Sequence, residues 1–170
     1  MKKTLMTVTV LGLALAAFSC GYRLSGSGRL PGGTATIYVA MFENKTLEMG
    51  VEHVFTQAMI SELVRRTGVK IVDEFSAQAV LRGTVTSITL DTLTRSADNS
   101  TVERMVYAKL NMSLVNREGE TIWSVNQFVA NEEYTVSREN ETDEAAQAGG
   151  IERIARRIAE RVVSAMTDDF

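Results

Sequence analysis

Apolar and polar side chains alternate along residues 102–114, and this pattern limits the possible folds more than any other feature of the chain. A period of two is that of a β-strand with one face buried and the other exposed to water or to a partner. Arg104 interrupts the apolar register near the start of the segment. Such a strand needs neighbouring strands and a second layer that covers its apolar face. That face carries Val102, Val106, Ala108, Leu110, Met112 and Leu114, and the other face carries Glu103, Met105, Tyr107, Lys109, Asn111 and Ser113.

Two segments with apolar residues at helical spacing are predicted to form the second layer. The first helix runs from about residue 50 to 67, and Gly68 follows it in the position of a C-cap glycine. The second begins near Glu141 with Thr142 as its N-cap, and Gly149-Gly150 is a candidate interruption. The apolar stripe of the first consists of Val51, Val54, Phe55, Ala58, Met59 and Leu63, and that of the second consists of Ile151, Ile154, Ala155, Ile158, Val162, Ala165 and Met166.

Further strands are predicted by segments that combine Val, Ile and Thr with flanking turn residues. These strands cover residues 37–42, 69–72, 79–90 and 121–134. Polar residues mark a turn at 43–46, a loop at 94–101 and a hairpin turn at 116–120. The economical arrangement is an α/β (α+β) fold, a two-layer sandwich with two helices packed on one face of a roughly four-stranded mixed sheet.

The N-terminus has the organisation of a bacterial lipoprotein signal. Lys2 and Lys3 precede an apolar run over residues 5–18, which suits a signal peptide and is too short to span a bilayer. Ser19 then precedes Cys20, the only cysteine of the chain, and a small residue before a cysteine is what cleavage and lipid attachment require. The alternative is an ordinary cleaved signal peptide with an incidental cysteine. We predict three parts: a signal peptide over 1–19, a lipidated flexible leader over 20–34 and a domain over 35–170.

The composition argues against several classes of protein. Without Lys2 and Lys3 the chain has 16 lysine and arginine residues against 21 acidic ones, a net charge of −5, which argues against nucleic-acid binding. One cysteine cannot form an internal disulfide. Beyond the signal region, no apolar run approaches the length of about 18 residues that a membrane-spanning helix needs.

The sequence carries no pattern of catalytic residues and predicts no cofactor or metal. His53 is the only histidine and lies within the first predicted helix, where a lone histidine is usually a surface residue. No Gly-x-Ser-x-Gly segment occurs, and adjacent acids such as Glu132-Glu133 point to opposite faces of a strand. We therefore expect a binding protein, with an enzyme on a lipid tether as the catalytic alternative.

Two features are candidate binding surfaces. The predicted solvent face of the long hairpin combines Met105, Tyr107, Lys109 and Asn111 with Trp123, Val125 and Gln127. A lone tryptophan on a strand is more often a core residue than a contact residue. The second candidate is a set of cations on or near adjacent strands, which we predict to contact an anion such as a phosphorylated lipid head group. This set consists of Arg82, Arg95, Arg104 and Lys109, for which scattered solvated charges are the alternative.

The order of these segments resembles that of the LptE family of lipopolysaccharide-assembly lipoproteins. The resemblance covers nearly all of the chain after the signal peptide, and each motif is weak when taken alone. The residues that carry it are CGYRLSG at 20–26, Leu30-Pro31, IYVAMFENKT at 37–46, Gly50-Val51-Glu52, AVLRG at 79–83 and GETIW at 119–123.

The resemblance implies an outer-membrane lipoprotein that faces the periplasm and is anchored by a lipid on Cys20. It also implies a plug inside the β-barrel LptD, a role in folding that barrel, and lipopolysaccharide binding during delivery to the outer leaflet. An outer-membrane lipoprotein that activates a cell-wall synthase, similar to LpoB, is the alternative, because a similar Val-Ala-Met-Phe-Glu-Asn segment before a helix occurs there.

Overall fold

The computed structural model describes residues 28–95, 101–137 and 142–168, so the predicted signal peptide and Cys20 lie outside the described part. Pro31–Gly33 forms a short 3-10 turn at its start. The helices and strands that follow are β1 (Thr36–Val39), β2 (Glu43–Asn44), α1 (Val51–Thr67), β3 (Lys70–Ile71), β4 (Ala79–Arg95), β5 (Thr101–Asn116), β6 (Thr121–Ser137) and α2 (Asp143–Asp168).

The strands form one mixed sheet in the order β3-β1-β4-β5-β6, with β2 paired to β4. β1 is parallel to β3 and β4, whereas β4, β5 and β6 form an antiparallel meander. α1 and α2 contact each other and cover one face of this sheet, α1 beside β2, β3 and β4 and α2 over β5 and β6. The predicted α/β (α+β) two-layer sandwich is therefore confirmed.

The described part of the sheet has six strands where about four were expected. Glu43 and Asn44, predicted as part of a turn, pair with Thr84 and Val85 and form β2. The strands of the meander are also longer than predicted: β4 continues to Arg95, which is in register with Val102 of β5. Backbone pairing continues through these polar ends because it does not require apolar side chains.

The predicted helix signals are confirmed, with one exception. Gly68 adopts a left-handed conformation with a φ of 66° at the C-cap of α1. The Thr142 Oγ1 accepts a hydrogen bond from the Ala145 N–H at 3.2 Å, as expected of an N-cap. The interruption predicted at Gly149-Gly150 is wrong, because α2 is continuous there. Gly150 instead allows close packing: a Cβ at this position would lie 2.9 Å from the Tyr134 ring.

The core lies between the helices and the covered face of the sheet. β5 contributes the predicted apolar face from Val106 to Leu114, and Ala165 is the one residue of the predicted α2 stripe that is exposed. Residues 28–34 fall within the predicted leader, yet Leu30 and Pro31 are buried against the domain. The largest fully buried side chains include Leu30, Ile37, Phe55, Met59, Leu63, Leu81, Leu110, Leu114, Ile154, Ile158 and Met166.

Phe42 packs directly on the backbone of β4 at Gly83. The residues between β1 and β2 form no strand, but Ala40 N–H still donates to Leu81 O at 3.0 Å, and Phe42 N–H donates to Thr56 Oγ1 at 3.0 Å. The Phe42 ring is 2 % exposed. A Cβ on Gly83 would lie 2.5 Å from its ring atoms, so only glycine leaves room for the ring between β4 and α1.

We expect Gly83→Ala to lower the free energy of unfolding by about 1–3 kcal/mol, because the added methyl overpacks a buried rigid ring. Urea unfolding followed by circular dichroism measures this loss. The double variant Phe42→Leu/Gly83→Ala should lose less than the sum of the two single losses, since leucine removes the clash. Additive losses would show that the two positions do not interact.

Candidate functional site

The face of the sheet opposite the helices is polar and uncovered over much of β4, β5 and β6. Arg82 and Lys109 both project from this open face, because their neighbours Leu81, Ala108 and Leu110 are buried on the other one. Arg82 is in register with Ser113, which is four residues from Lys109 along β5. At a strand rise of about 3.3 Å per residue, the two cations are separated by roughly 13 Å along the strand.

A shallow depression of about 130 Å³ lies beside Arg82 on the open face. Hydroxyl and amide side chains line it together with Arg82, and these groups bind phosphate and sugar oxygens well. Glu74 approaches Arg82 Nη2 to 3.7 Å, but both side chains are more than half exposed, so this ion pair is weak and can exchange for another anion. The polar residues that line the depression are Arg82, Thr84, Asn111, Ser113, Ser124 and Asn126.

Arg104 lies on the opposite, helix-covered face, so the structure separates it from Arg82 and Lys109. Its side chain is only 23 % exposed, and Nη2 lies 2.8 Å from the Asp143 carboxylate at the start of α2. Tyr134, in register with Arg104 on β6, and then Asp143 raise the pKa of the guanidinium. Arg104 therefore fixes α2 to the sheet. Arg95 ends β4, and its side chain lies outside the described part of the structure.

The predicted grouping of Trp123 and Val125 with the solvent face of β5 is wrong. Trp123 is in register with Leu114 and Val125 with Met112, so both project toward the core, where they are half-buried. The reason is a pair of register shifts between β5 and β6 that the alternating pattern does not reveal. Gln127 has a φ of 53°, and its N–H donates to Asn111 Oδ1 at 2.7 Å.

The residues of β6 that actually join the open face differ from those predicted. Val129, Asn131 and Glu133 are in register with Lys109, Tyr107 and Met105. All three are exposed. The open face is therefore more polar on its β6 side than the predicted aromatic surface would be.

A groove of about 640 Å³ runs between α1 and α2 on the outer side of the helix layer. Glu62 is buried beside it and binds Arg65 Nη2 at 2.6 Å and Arg66 Nε at 3.1 Å. Arg65 also approaches Glu160 of α2 to 3.8 Å. His53 lines the groove as an exposed residue. The charges of this groove neutralise one another, which indicates a helix-to-helix contact more than a ligand site.

Fully exposed apolar side chains mark a loop before α1. Leu47 is 101 % and Met49 is 96 % exposed. The loop is held by Asn44 Nδ2, which donates to Glu48 O at 2.8 Å and to Glu52 Oε2 at 3.0 Å. Backbone hydrogen bonds, together with Asn44, lower the pKa of Glu52. The sequence predicts a turn at 43–46 in this region, but it does not predict that Leu47 and Met49 are exposed.

Neither a metal centre nor a membrane-spanning helix is found where the structure describes the chain. Within residues 28–95, 101–137 and 142–168, no group of three or more His, Cys, Asp or Glu side chains is arranged to hold a metal ion. The described helices are too short or too polar to cross a bilayer.

Comparisons with known proteins relate the chain to one family and one fold. The sequence model of the LptE family, described as lipopolysaccharide-assembly, matches residues 34–166. The PelC dodecamer from Paraburkholderia phytofirmans is 18 % identical with a TM-score of 0.50, over 83 % of this chain and 93 % of that one. A protein from Xanthomonas campestris is 14 % identical with a TM-score of 0.50, over 85 % and 90 % of the two chains. Identities this low show a similar fold alone. Curated protein sequences give no match.

Arg104 and Arg82 should respond differently to substitution. We expect Arg104→Ala to lower the free energy of unfolding by about 1.5–3 kcal/mol, because it removes a charge-assisted hydrogen bond from a mostly buried group. The matched variant Arg82→Ala should change it by less than about 0.5 kcal/mol, since Arg82 is exposed. Urea unfolding measures both values. Equal losses would contradict the assignment of the two arginines to different faces.

Proposed function

Because the chain belongs to the LptE family of lipopolysaccharide-assembly proteins, we propose that it is a non-catalytic outer-membrane lipoprotein that plugs an LptD-type β-barrel. It helps that barrel assemble and assists delivery of lipopolysaccharide to the outer leaflet. The family match over residues 34–166 carries this proposal, because it spans nearly all of the described domain.

The anchor of this lipoprotein is a lipid on Cys20, which holds the domain on the periplasmic side of the outer membrane. Each buried methylene of an acyl chain contributes about 0.8 kcal/mol, so two or three chains give stable attachment. The sequence Ser19-Cys20 after the apolar run supports this part of the proposal.

The polar open face supports the role of a plug. The interior of a transmembrane β-barrel is polar, so a domain that fills it must present hydroxyl, amide and charged groups without an extended apolar patch. Thr89, Lys109 and Asn131 are exposed on this face, as are Ser124 and Asn126. Helices cover the other face of the sheet, so the side chains of the core are buried without a partner.

Arg82 and Lys109 are the residues that we propose to contact lipopolysaccharide. A guanidinium binds phosphate through two parallel hydrogen bonds, and the surrounding hydroxyl and amide groups suit the sugars that carry the phosphates. Lys109 is exposed on the adjacent strand, where it can bind a second anionic group. Arg104 is excluded from this contact because it is paired with Asp143 on the covered face.

We expect the tagged full-length lipoprotein to co-purify with a large β-barrel in a one-to-one complex from detergent-solubilised membranes. Mass spectrometry identifies the partner, and washing with salt tests its stability. Recovery of a cell-wall synthase instead would favour the LpoB-like activator. An untagged strain controls for barrels that bind the resin.

We expect Arg82→Ala/Lys109→Ala to weaken lipopolysaccharide binding by at least about tenfold, since each lost charge-assisted hydrogen bond contributes about 1.5–3 kcal/mol. Binding of purified lipopolysaccharide to the protein is measured by fluorescence titration. The matched control Arg156→Ala/Arg161→Ala removes two exposed cations from the helix layer and should leave binding unchanged. Equal affinity of both double variants would contradict the open-face contact.

A further inference from the structure

One end of the domain holds both the start of the described chain and an exposed aromatic ring. Gly28 lies against the end of α2, where a Cβ on this glycine would be 2.5 Å from Thr167 Cβ. The first residues of β1 and β4 meet at the same end, because Gln78 Oε1 accepts from the N–H groups of Ala35 and Thr36. We call this the tether end, since the described chain begins there.

Phe75 stands at the tether end and is 94 % exposed. It lies in the turn between β3 and β4, where Asp73 Oδ1 accepts from the N–H groups of Phe75 and Ser76 at 3.1 Å. Arg117, from the turn between β5 and β6, donates to Phe75 O at 3.0 Å and to Ala77 O at 2.8 Å. Hydrogen bonds from both sides therefore hold the turn in place. The ring on this turn keeps apolar surface in contact with water, and transfer of that surface into an apolar medium is favourable.

Cations accompany the ring at this end. Arg29 and Lys70 are exposed and line one depression of about 360 Å³. None of the described residues that line this depression is acidic. Of the acids at this end, Asp73 caps the turn, Glu74 pairs with Arg82 on the open face, and Glu118 lines a separate depression beside the turn between β5 and β6. An exposed aromatic ring and a cation-lined depression at the same end of the domain have the chemistry that recognises a bilayer surface with anionic head groups.

The length of the leader places this end near the membrane. Seven residues separate Cys20 from Gly28. Eight steps along an extended chain span at most about 28 Å, so a lipid on Cys20 holds Gly28 within that distance of the head groups. The loop that carries Leu47 is at the other end of α1, and a helix of 17 residues is about 25 Å long.

We propose that the anchored domain docks on the bilayer through its tether end, with Phe75 inserted at head-group level and Arg29 and Lys70 beside anionic lipids. This inference rests on the proposed lipid anchor at Cys20. Docking orients the domain before a barrel is present: Leu47 and the far ends of β4, β5 and β6 point away from the membrane surface.

Tryptophan fluorescence tests the docking. The chain has a single tryptophan, so Trp123→Phe provides a background for two single-tryptophan variants, Phe75→Trp and Leu47→Trp. Both replaced side chains are almost fully exposed, so neither change disturbs the core. The full-length lipoprotein is reconstituted into phosphatidylethanolamine–phosphatidylglycerol vesicles whose acyl chains are brominated near the head group.

The expected result is a blue shift and quenching of the Phe75→Trp variant in the brominated vesicles, while the Leu47→Trp variant emits as it does in water. A Phe75→Trp protein that floats with the vesicles but is not quenched would overturn the docking and leave the anchor intact. Equal quenching of both variants would overturn the proposed orientation. Protein that does not float with the vesicles would overturn the anchor on Cys20, and the docking with it.

Discussion

The long pairing of β4 with β5 is the interaction on which the rest of the structure depends. It runs from Ala79 opposite Asn116 to Arg95 opposite Val102, and β6 continues the same ladder on the other side of β5. A meander of this length has one apolar face that a single helix cannot cover. α1 and α2 therefore lie side by side, with α1 beside β2, β3 and β4 and α2 over β5 and β6. Most polar side chains of the meander are left on the open face.

The regular pairing of β5, the central strand of the meander, also explains why much of the fold could be predicted from the sequence. Its residues pair without an inserted residue, so strict alternation in the sequence matches the two faces of the sheet. The irregularities fall on its neighbours: the register with β4 shifts between Val85 and Ser87, and the register with β6 shifts opposite Asn111. A bulge adds a residue to one strand and reverses the faces beyond it. Nothing in the alternation of β6 marks these positions, and for that reason the sequence pattern groups Trp123 with the solvent face of β5.

The positions of the candidate cations follow partly from local sequence patterns and partly from contacts between residues that are distant in the sequence. Alternation along β5 already places Arg104 on the apolar side and Lys109 on the other, and this much follows from the sequence. The partner that makes a cation tolerable on the apolar side is Asp143, which is 39 residues away along the chain. The turn that presents Phe75 depends likewise on Arg117, 42 residues further on. Such contacts exist only once the sheet has assembled, so local patterns could not reveal them.

The two-layer arrangement limits which surfaces of the domain can contact the barrel and which can contact lipopolysaccharide. The helix layer uses its apolar side for the core, and the ion pairs of Glu62, Arg65 and Glu160 line its outer groove. The open face of the sheet is also a broad polar surface, and it carries Arg82 and Lys109. A barrel wall pressed against the whole of that face would cover both cations. Our proposals are therefore compatible only if the barrel contacts the helix layer and the sheet edges, which leaves the open face toward the lumen, where lipopolysaccharide can reach it.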